Sequence, residues 1–399
     1  MEIIIHRGTR QIGGCITEIK TSKARILIDF GSNLPNDDLP EKNEIQIEGV
    51  TRGTPSCDAI FFTHYHVDHI GMYARVLPEI SMYMGQAAKA IFLRYLNRIR
   101  LGDHINKDEI EAAEKIKTYK ENQPMLIGDI TVTPYRVSHS AYDACMFLIE
   151  ADGKRILHTG DFRNHGFMGE SLMETLRKYI KKIDVAIVEG TLLSRDYENV
   201  VSETQIIDKI SEFVKKNKYV YILCASTNID RIAAAYAATP NGKYFLCDEY
   251  QKEILSVASE DSKNDPKYKN LYRFEKVLTY GDNLYDKIIS KGFCMIIRAN
   301  SDFKKIMEKF EKKDSVILYS IWEGYLKEEE FGHKEFLDGY HWEKLHSSGH
   351  ATKETIKELC EIIEPDFIIP IHTMSPEKFS YLNLKGEVLY LEDGEKFSL

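Results

Sequence analysis

An α/β protein of two structural units is what this sequence predicts, and three observations carry the prediction. Short apolar runs alternate with helical periods along the chain, the texture changes near residue 195, and 399 residues exceed the usual size of one domain. The opening run Glu2-Ile3-Ile4-Ile5 reads as a first strand, and strands follow over 15–19, 25–29 and 60–63. Residues 70–75 begin a helix, and 84–121 carry a helical pattern with a break near Gly102. Strands return over 130–137, 145–150, 155–158 and 184–188. From 195 a helix (203–216), a strand (219–224) and a second helix (229–238) open an alternation that runs to about 344, the signature of a separate parallel-sheet module. A helix over 352–363 and strands over 367–371, 388–391 and 396–399 resume the first style. The predicted organisation is one domain from 1–194 and 345–399, interrupted by a second from 195–344.

Composition bounds the function. With 43% hydrophobic and 29% charged residues, and no apolar run long enough to span a bilayer, the chain is expected to be soluble and cytoplasmic, with no membrane partner. Its N-terminus lacks the charged, apolar and small-residue pattern of a secretory leader. The seven cysteines are odd in number and form no C-x-x-C pair, which argues against a disulfide framework or a thiolate zinc site and for buried free thiols. A net charge of -9 disfavours non-specific attraction to nucleic acid, so a polyanionic substrate needs a local basic path. Lys89, Arg94, Arg98 and Arg100 share one predicted helix and read first as its solvated face.

The chemistry concentrates in His64-Tyr65-His66-Val67-Asp68-His69, which sits behind the apolar run Ala59-Ile60-Phe61-Phe62. In an extended segment, side chains at i and i+2 point the same way, so His64 and His66 grip one metal while the turn presents Asp68 and His69 to a second. Zinc suits this set of imidazoles and carboxylates. Three later strand ends supply what a two-metal site still lacks: His139 as a third imidazole for the first ion, Asp161 as a bridging carboxylate, and His372 for the second ion. Ligands at the carboxyl ends of several strands converge on one edge of a sheet.

Together, the H-x-H-x-D-H cluster, His139, Thr159-Gly160-Asp161 and His372 resemble the binuclear site of the metallo-β-lactamase superfamily. Asp29, ending 25–29, is similar to the superfamily's first motif, whose carboxylate usually orients a liganding imidazole. Glu189 in Val188-Glu189-Gly190-Thr191, and His346-Ser347-Ser348-Gly349-His350-Ala351, resemble the acidic and histidine motifs of the β-CASP nucleases, with His372 as their third. The run 223–231 is similar to a strand-to-helix element of RNase J proteins. The resemblance implies an αββα metallo-β-lactamase sandwich with an inserted β-CASP domain.

It also implies an RNase J-like, zinc-dependent ribonuclease, cleaving RNA as a 5′-to-3′ exonuclease, an endonuclease or both. Two zinc ions, with manganese as the alternative at one or both positions, would activate a hydroxide for in-line attack on phosphorus. Asp68 would serve as ligand and catalytic carboxylate; His350 would protonate the departing 3′-oxygen, and Glu189 would keep that imidazole protonated. DNA-processing members tend to carry valine where RNA-processing members keep the last histidine, so His372 favours RNA. His346 and Ser348 are substrate-binding candidates, read otherwise as a tight turn. Ser226 and Asn228 precede a helix, where capping competes with a phosphate-binding role. Tyr65 reads equally as a base-stacking residue and as a shield for the metal pair. His6, His104, His158, His165, His333 and His341 have no partner assignable from sequence. The run 319–325 stands where a glycine- and glutamine-bearing loop is expected, and after His372 only the last strands remain, so a homo-oligomer is left open. The competing readings are a hydrolase of a non-nucleic-acid ester and a non-catalytic β-CASP scaffold; a diiron relative would carry Glu at the position of His66.

Overall fold

The computed structural model describes residues 1–34, 45–101, 105–195, 200–328 and 331–399. Gly102 and His104 lie outside them. The chain divides into two compact units, the first comprising Met1–Asn164, Met168–Glu198 and Gly349–Leu399, the second His165–Phe167 and Asn199–Ser348. The change of texture in the sequence places the inserted segment at 195–344.

In the first unit, two sheets of seven strands each are present among the described residues. One joins the first strand, Glu2–Arg7, antiparallel to the last, Lys396–Ser398, and continues through Ile16–Lys20 into parallel strands Arg25–Ile28, Ala59–Phe61, Ser81–Gly85 and Lys117–Tyr119. The other runs from Glu387–Val388 through Phe367–Ile371, Val185–Glu189, Lys154–His158, Cys145–Ala151 and Ile130–Arg136 to Met125–Ile127. The strand-period alternation decides which side chains go where. Cys145, Phe147 and Ile149, with Ile156, Val185, Ile187, Ile369 and Ile371, face Ile3, Ile5, Ile26, Ile28 and Phe61 of the first sheet in one buried cluster. Their neighbours Met146, Leu148, Leu157, Ala186, Val188 and Ile368 point the other way, onto Leu172, Leu176, Ile356, Leu359 and Ile363 of the covering helices. Two sheets face to face with helices outside are the layers of an αββα sandwich.

The helix Lys353–Ile363 starts where Thr352 accepts a hydrogen bond from Thr355 N, and buries Ile356, Leu359 and Ile363 at helical spacing. Two sequence expectations are corrected here. The segment 84–121 is not helical to its end: it contains helices Gln86–Arg100 and Lys107–Lys115, flanked by strands Ser81–Gly85 and Lys117–Tyr119. The helix placed at 70–75 is instead a short helix Val67–Ile70 with a separate 3-10 turn at Tyr73–Arg75, so Asp68 and His69 stand on the helix itself.

The second unit is a six-stranded sheet of parallel neighbours, built around Tyr219–Leu223, Phe293–Ile297 and Ser315–Tyr319, all fully buried. Continuous apolar strands are what a parallel sheet covered on both faces requires. Its first helix, Glu203–Lys216, opens with a reciprocal cap between Ser202 and Gln205, and buries Ile206, Ile210 and Val214.

Candidate metal centre and active site

Chain direction explains where the polar residues meet. The strands Ile130–Arg136, Lys154–His158, Val185–Glu189 and Phe367–Ile371 run the same way, the first two being separated by one antiparallel strand. Their carboxyl ends therefore share an edge, and His139, Asp161, Glu189 and His372 follow from those ends. Parallel strands Arg25–Ile28 and Ala59–Phe61 deliver Asp29 and His64 in the same manner.

Three imidazoles form one cluster. Nε2 of His64 and Nε2 of His139 each lie 3.1 Å from Nδ1 of His66. Burial pushes all three rings down, His66 to about 4 and the other two well below the usual range, with crowding by the neighbouring rings adding to it for His64 and His139. They are therefore neutral at pH 7. His139 Nδ1 lies 2.7 Å from the carbonyl oxygen of Gly349, which can only accept, so Nδ1 donates and Nε2 turns a lone pair to its neighbours. The Ser140 hydroxyl, 3.4 Å from His139 Nε2, can donate to that lone pair.

A second cluster stands beside it. His372 Nε2 is 3.1 Å from Asp68 Oδ2, and His69 Nε2 is 3.9 Å from the same oxygen. His69 Nδ1 is held at 2.7 Å by Asp29 Oδ2, while Asp29 Oδ1 accepts from Thr63 N at 2.7 Å. Thr191 donates its hydroxyl proton to the carbonyl of His372, leaving the same oxygen to accept from His372 Nδ1 at 2.6 Å. Each orienting contact leaves Nε2 of the imidazole facing inward.

Asp161 lies between the clusters: its Oδ2 is 3.2 Å from His69 Nε2 and 3.8 and 3.9 Å from Nε2 of His139 and His64, and its Oδ1 is 3.8 Å from His372 Nδ1. Burial alone would raise the carboxyl groups of Asp68 and Asp161. His69, then His372, holds Asp68 low instead, and His372, His69 and His350 hold Asp161 low. His69 is raised against its own burial by Asp161, Asp29 and Asp68. Asp161 Oδ1 and His69 Nε2 are buried without a hydrogen bond. Converging neutral imidazoles and orphaned buried polar atoms fit a divalent cation.

His350 and Glu189 complete the edge. Glu189 is fully buried; its Oε1 lies 3.3 Å from His350 Nδ1 and accepts from Ala351 N at 3.0 Å and Phe162 N at 3.3 Å, while Oε2 accepts from Thr191 N at 3.1 Å. His350 Nδ1 is also 3.6 Å from Asp161 Oδ2. Burial would lower this imidazole, but Glu189 and then Asp161 raise it above its ordinary value. Nδ1 thus faces the two carboxylates, and the ring is partly exposed.

The backbone is shaped to these ends. Asp29 and His372 adopt left-handed φ angles of 62° and 51°, a conformation Asp and His tolerate better than most residues. Gly31 packs against the ligand helix so closely that a Cβ would lie 1.7 Å from Asp68 O.

The region 24–214 matches the family described as a β-lactamase superfamily domain. That match takes in the ligand turn, His139, Asp161 and Glu189. Ribonuclease J of Helicobacter pylori is 24% identical over 400 residues, covering 92% of this chain and 55% of its own length. Ribonuclease J of Mycoplasma pneumoniae is 22% identical over 436 residues, covering 99% of this chain and 74% of its own. The chain thus spans little more than half the length of the first relative. A solved structure, a protein of unknown function from Enterococcus faecalis V583, superposes with a TM-score of 0.79 over 100% of this chain and 99% of that one at 21% identity, a likeness of fold. The resemblance to the β-CASP group and the sandwich with an inserted domain are both borne out. The matched family implies use of a divalent metal, and the side-chain clusters can hold one.

The remaining predicted residues belong to the second unit. Asn228 caps the helix Ile229–Ala238 by accepting from Arg231 N, as sequence suggested. Ser226 is no cap: its hydroxyl accepts from Arg298 Nη1 at 3.1 Å, and Arg298 is paired with Asp248. Ser348 offers its carbonyl to His165 Nε2 at 2.8 Å, and His346 is half-buried. In the first unit, Tyr65 is buried, and its hydroxyl accepts from Tyr142 N, which fixes the loop after His139 rather than leaving a ring for a base. His6 pairs with Glu18 at 2.7 Å and His158 with Thr17 at 3.2 Å, so both have structural partners. On the helix Gln86–Arg100, Arg94 and Lys89 donate to the carbonyls of Ala90 and Glu114, in keeping with an ordinary solvated face. The residues sequence reasoning missed are Thr191 and the carbonyl of Gly349, which aim the ligand rings; Thr191 stood in the quoted Glu-Gly-Thr motif, whereas a carbonyl leaves no signal.

Proposed function

We propose that this chain hydrolyses RNA phosphodiesters as a zinc-dependent, RNase J-like ribonuclease. The observation that carries the reading is the Glu189–His350 pair set beside Asp161, a proton donor held next to a cluster of metal-type side chains. Two divalent cations, when bound, would supply Lewis acidity and a nucleophilic water at neutral pH. His64, His66 and His139 would hold one and Asp68, His69 and His372 the other, with Asp161 shared. Asp29, Thr191 and the Gly349 carbonyl keep the liganding rings oriented. His350 donates its Nε2 proton as the P–O3′ bond breaks, so that the electron pair leaves on a neutral 3′-hydroxyl; Glu189 keeps that proton available. His346, Ser348, Ser226 and Asn228 are the proposed substrate contacts. The ribonuclease names of the relatives support RNA as the polymer.

The test is end-labelled RNA carrying a 5′ monophosphate or triphosphate, beside matched single-stranded DNA and a His66→Ala control. Mononucleotides released from the monophosphorylated RNA alone would give a 5′ exonuclease, and internal fragments an endonuclease. Zinc-loaded protein that cleaves neither polymer would refute the reading.

A further inference from the structure

We propose that Cys15 is a thiolate ligand on the His69–His372 side of the metal centre. Scattered cysteines without a C-x-x-C spacing argued in the sequence against any such role, and six of the seven keep to it among the described residues. Cys15 alone joins a metal-capable group: its Sγ and one ring nitrogen each of His69 and His372 lie within 4.8 Å of one another. At a tetrahedral ion, zinc bonds of about 2.3 Å to sulfur and about 2.1 Å to nitrogen set those atoms roughly 3.6 Å apart, so the three close in by about 1 Å at most to share one cation.

The thiol is placed by the ligand turn itself. Cys15 N donates to Asp68 O at 3.0 Å, and Cys15 O accepts from Gly31 N at 3.1 Å, so the strand Ile16–Lys20 enters the sheet directly from the backbone that carries Asp68. Cys15 is 2% exposed. Independently of the thiol, His69 Nε2 is 1% exposed at the side chain, forms no hydrogen bond and points into this space, where Asp68 Oδ2 and Asp161 Oδ2 lie 3.9 and 3.2 Å away. A cation that replaces the proton on that nitrogen comes within reach of Cys15.

On binding, the S–H bond breaks, its proton goes to solvent, and the sulfur electron pair forms the metal–sulfur bond, with no change of oxidation state. A soft thiolate makes this position favour zinc or cadmium over manganese, whereas the His64, His66 and His139 position stays a nitrogen site. The inference rests on the metal reading of the site and not on RNA as substrate. Its test reads metal bonding alone, and so stands or falls separately.

Metal-free full-length protein is titrated with cobalt(II) and with cadmium, and total metal is measured. The wild type should develop one thiolate-to-metal charge-transfer absorption per chain; Cys15→Ser should lose it and Cys360→Ser keep it. Zinc affinity at this position should fall roughly 10- to 100-fold in Cys15→Ser, the range seen when a metal site loses a supporting partner, with manganese changed less. X-ray absorption of the zinc-loaded wild type, which needs no variant to fold, should show one sulfur at about 2.3 Å. A wild type holding two cations without that absorption or sulfur distance overturns the proposal. So does an absorption that survives Cys15→Ser, or a wild type that binds neither probe metal.

Discussion

Glu189→Gln removes one charge and almost nothing else, which makes it the sharpest test of the proton donor. The carboxylate lies 3.3 Å from His350 Nδ1, and two unit charges at that distance in an effective dielectric of about 20 attract by roughly 5 kcal/mol. Burial of the imidazole opposes that attraction, and Asp161 at 3.6 Å remains after the substitution, so the pKa of His350 is expected to fall by less than the bare attraction implies. The sign is fixed: a general acid must be protonated, so activity is lost as pH rises through its pKa. The alkaline limb of kcat/KM should therefore move to lower pH, with losses of up to ~100-fold between the two limbs and near-equal rates below the variant's own limb. Glutamine Oε1 still accepts from Ala351 N and Phe162 N, but its amide faces Thr191 N, a mismatch costing about 1–3 kcal/mol of stability. The assay is single-turnover cleavage of 5′-labelled RNA across pH, with metal content and thermal melting measured on the same preparation. A substrate with a 3′-bridging sulfur, whose leaving group needs no proton, should restore the variant. An unmoved limb at full metal content, or a uniform loss at every pH, would refute the assignment.

Other outcomes follow from the same geometry. Asp29→Asn keeps an acceptor for Thr63 N and a side chain tolerant of φ 62° but loses the charge beside His69, so metal competition titration should show roughly 10- to 100-fold weaker binding without unfolding. Gly31→Ala drives a Cβ into Asp68 O; because a backbone carbonyl cannot yield like a side chain, both metal content and melting temperature should fall, and normal values for either would count against the packing described. Glu18, against its burial, is held down to about 2 from 4.5 by His6 and Arg25. Its folded pKa is depressed, so its stabilisation is present above pH 4.5 and lost as pH falls towards 2, on the order of 2–3 kcal/mol in all. Urea unfolding of Glu18→Gln should show a flatter acid limb over that window.

Strand-end polar residues made much of the candidate site legible. His139, Asp161 and His372 each follow an apolar run too short for a helix, and a polar side chain at such an end has little to do in a core. The interdigitating alternation of 145–149 and 185–188 is visible in the letters as period two only where polar residues mark one face; here both faces are buried, so the layer order came from the family resemblance. Lys117-Thr118-Tyr119 was read as helix because three residues carry no periodicity of their own, and pairing with Tyr83–Gly85 decides the matter. Cys15 was invisible for a different reason. Ligand spacing along a sequence detects sites made by one segment, whereas this thiol meets His69 and His372 only through the backbone bond to Asp68.

The pairing of the first strand with the last bears on how the molecule comes into being. Glu2–Arg7 waits for Lys396–Ser398, and Asp68 waits for His372, so closure of both the sheet and the second half of the centre is a long-range event. Contacts of such sequence separation form slowly, because the loop entropy must be met before they stabilise anything. A chain still emerging from the ribosome can gather His64, His66 and His139, yet it lacks His350 and His372 until the second unit has been made. Hydrolytic competence on this reading waits until the second unit has been made, because His350 and His372 follow it in the sequence, and a chain cut short before them would lack both the proton donor and a ligand of the second ion.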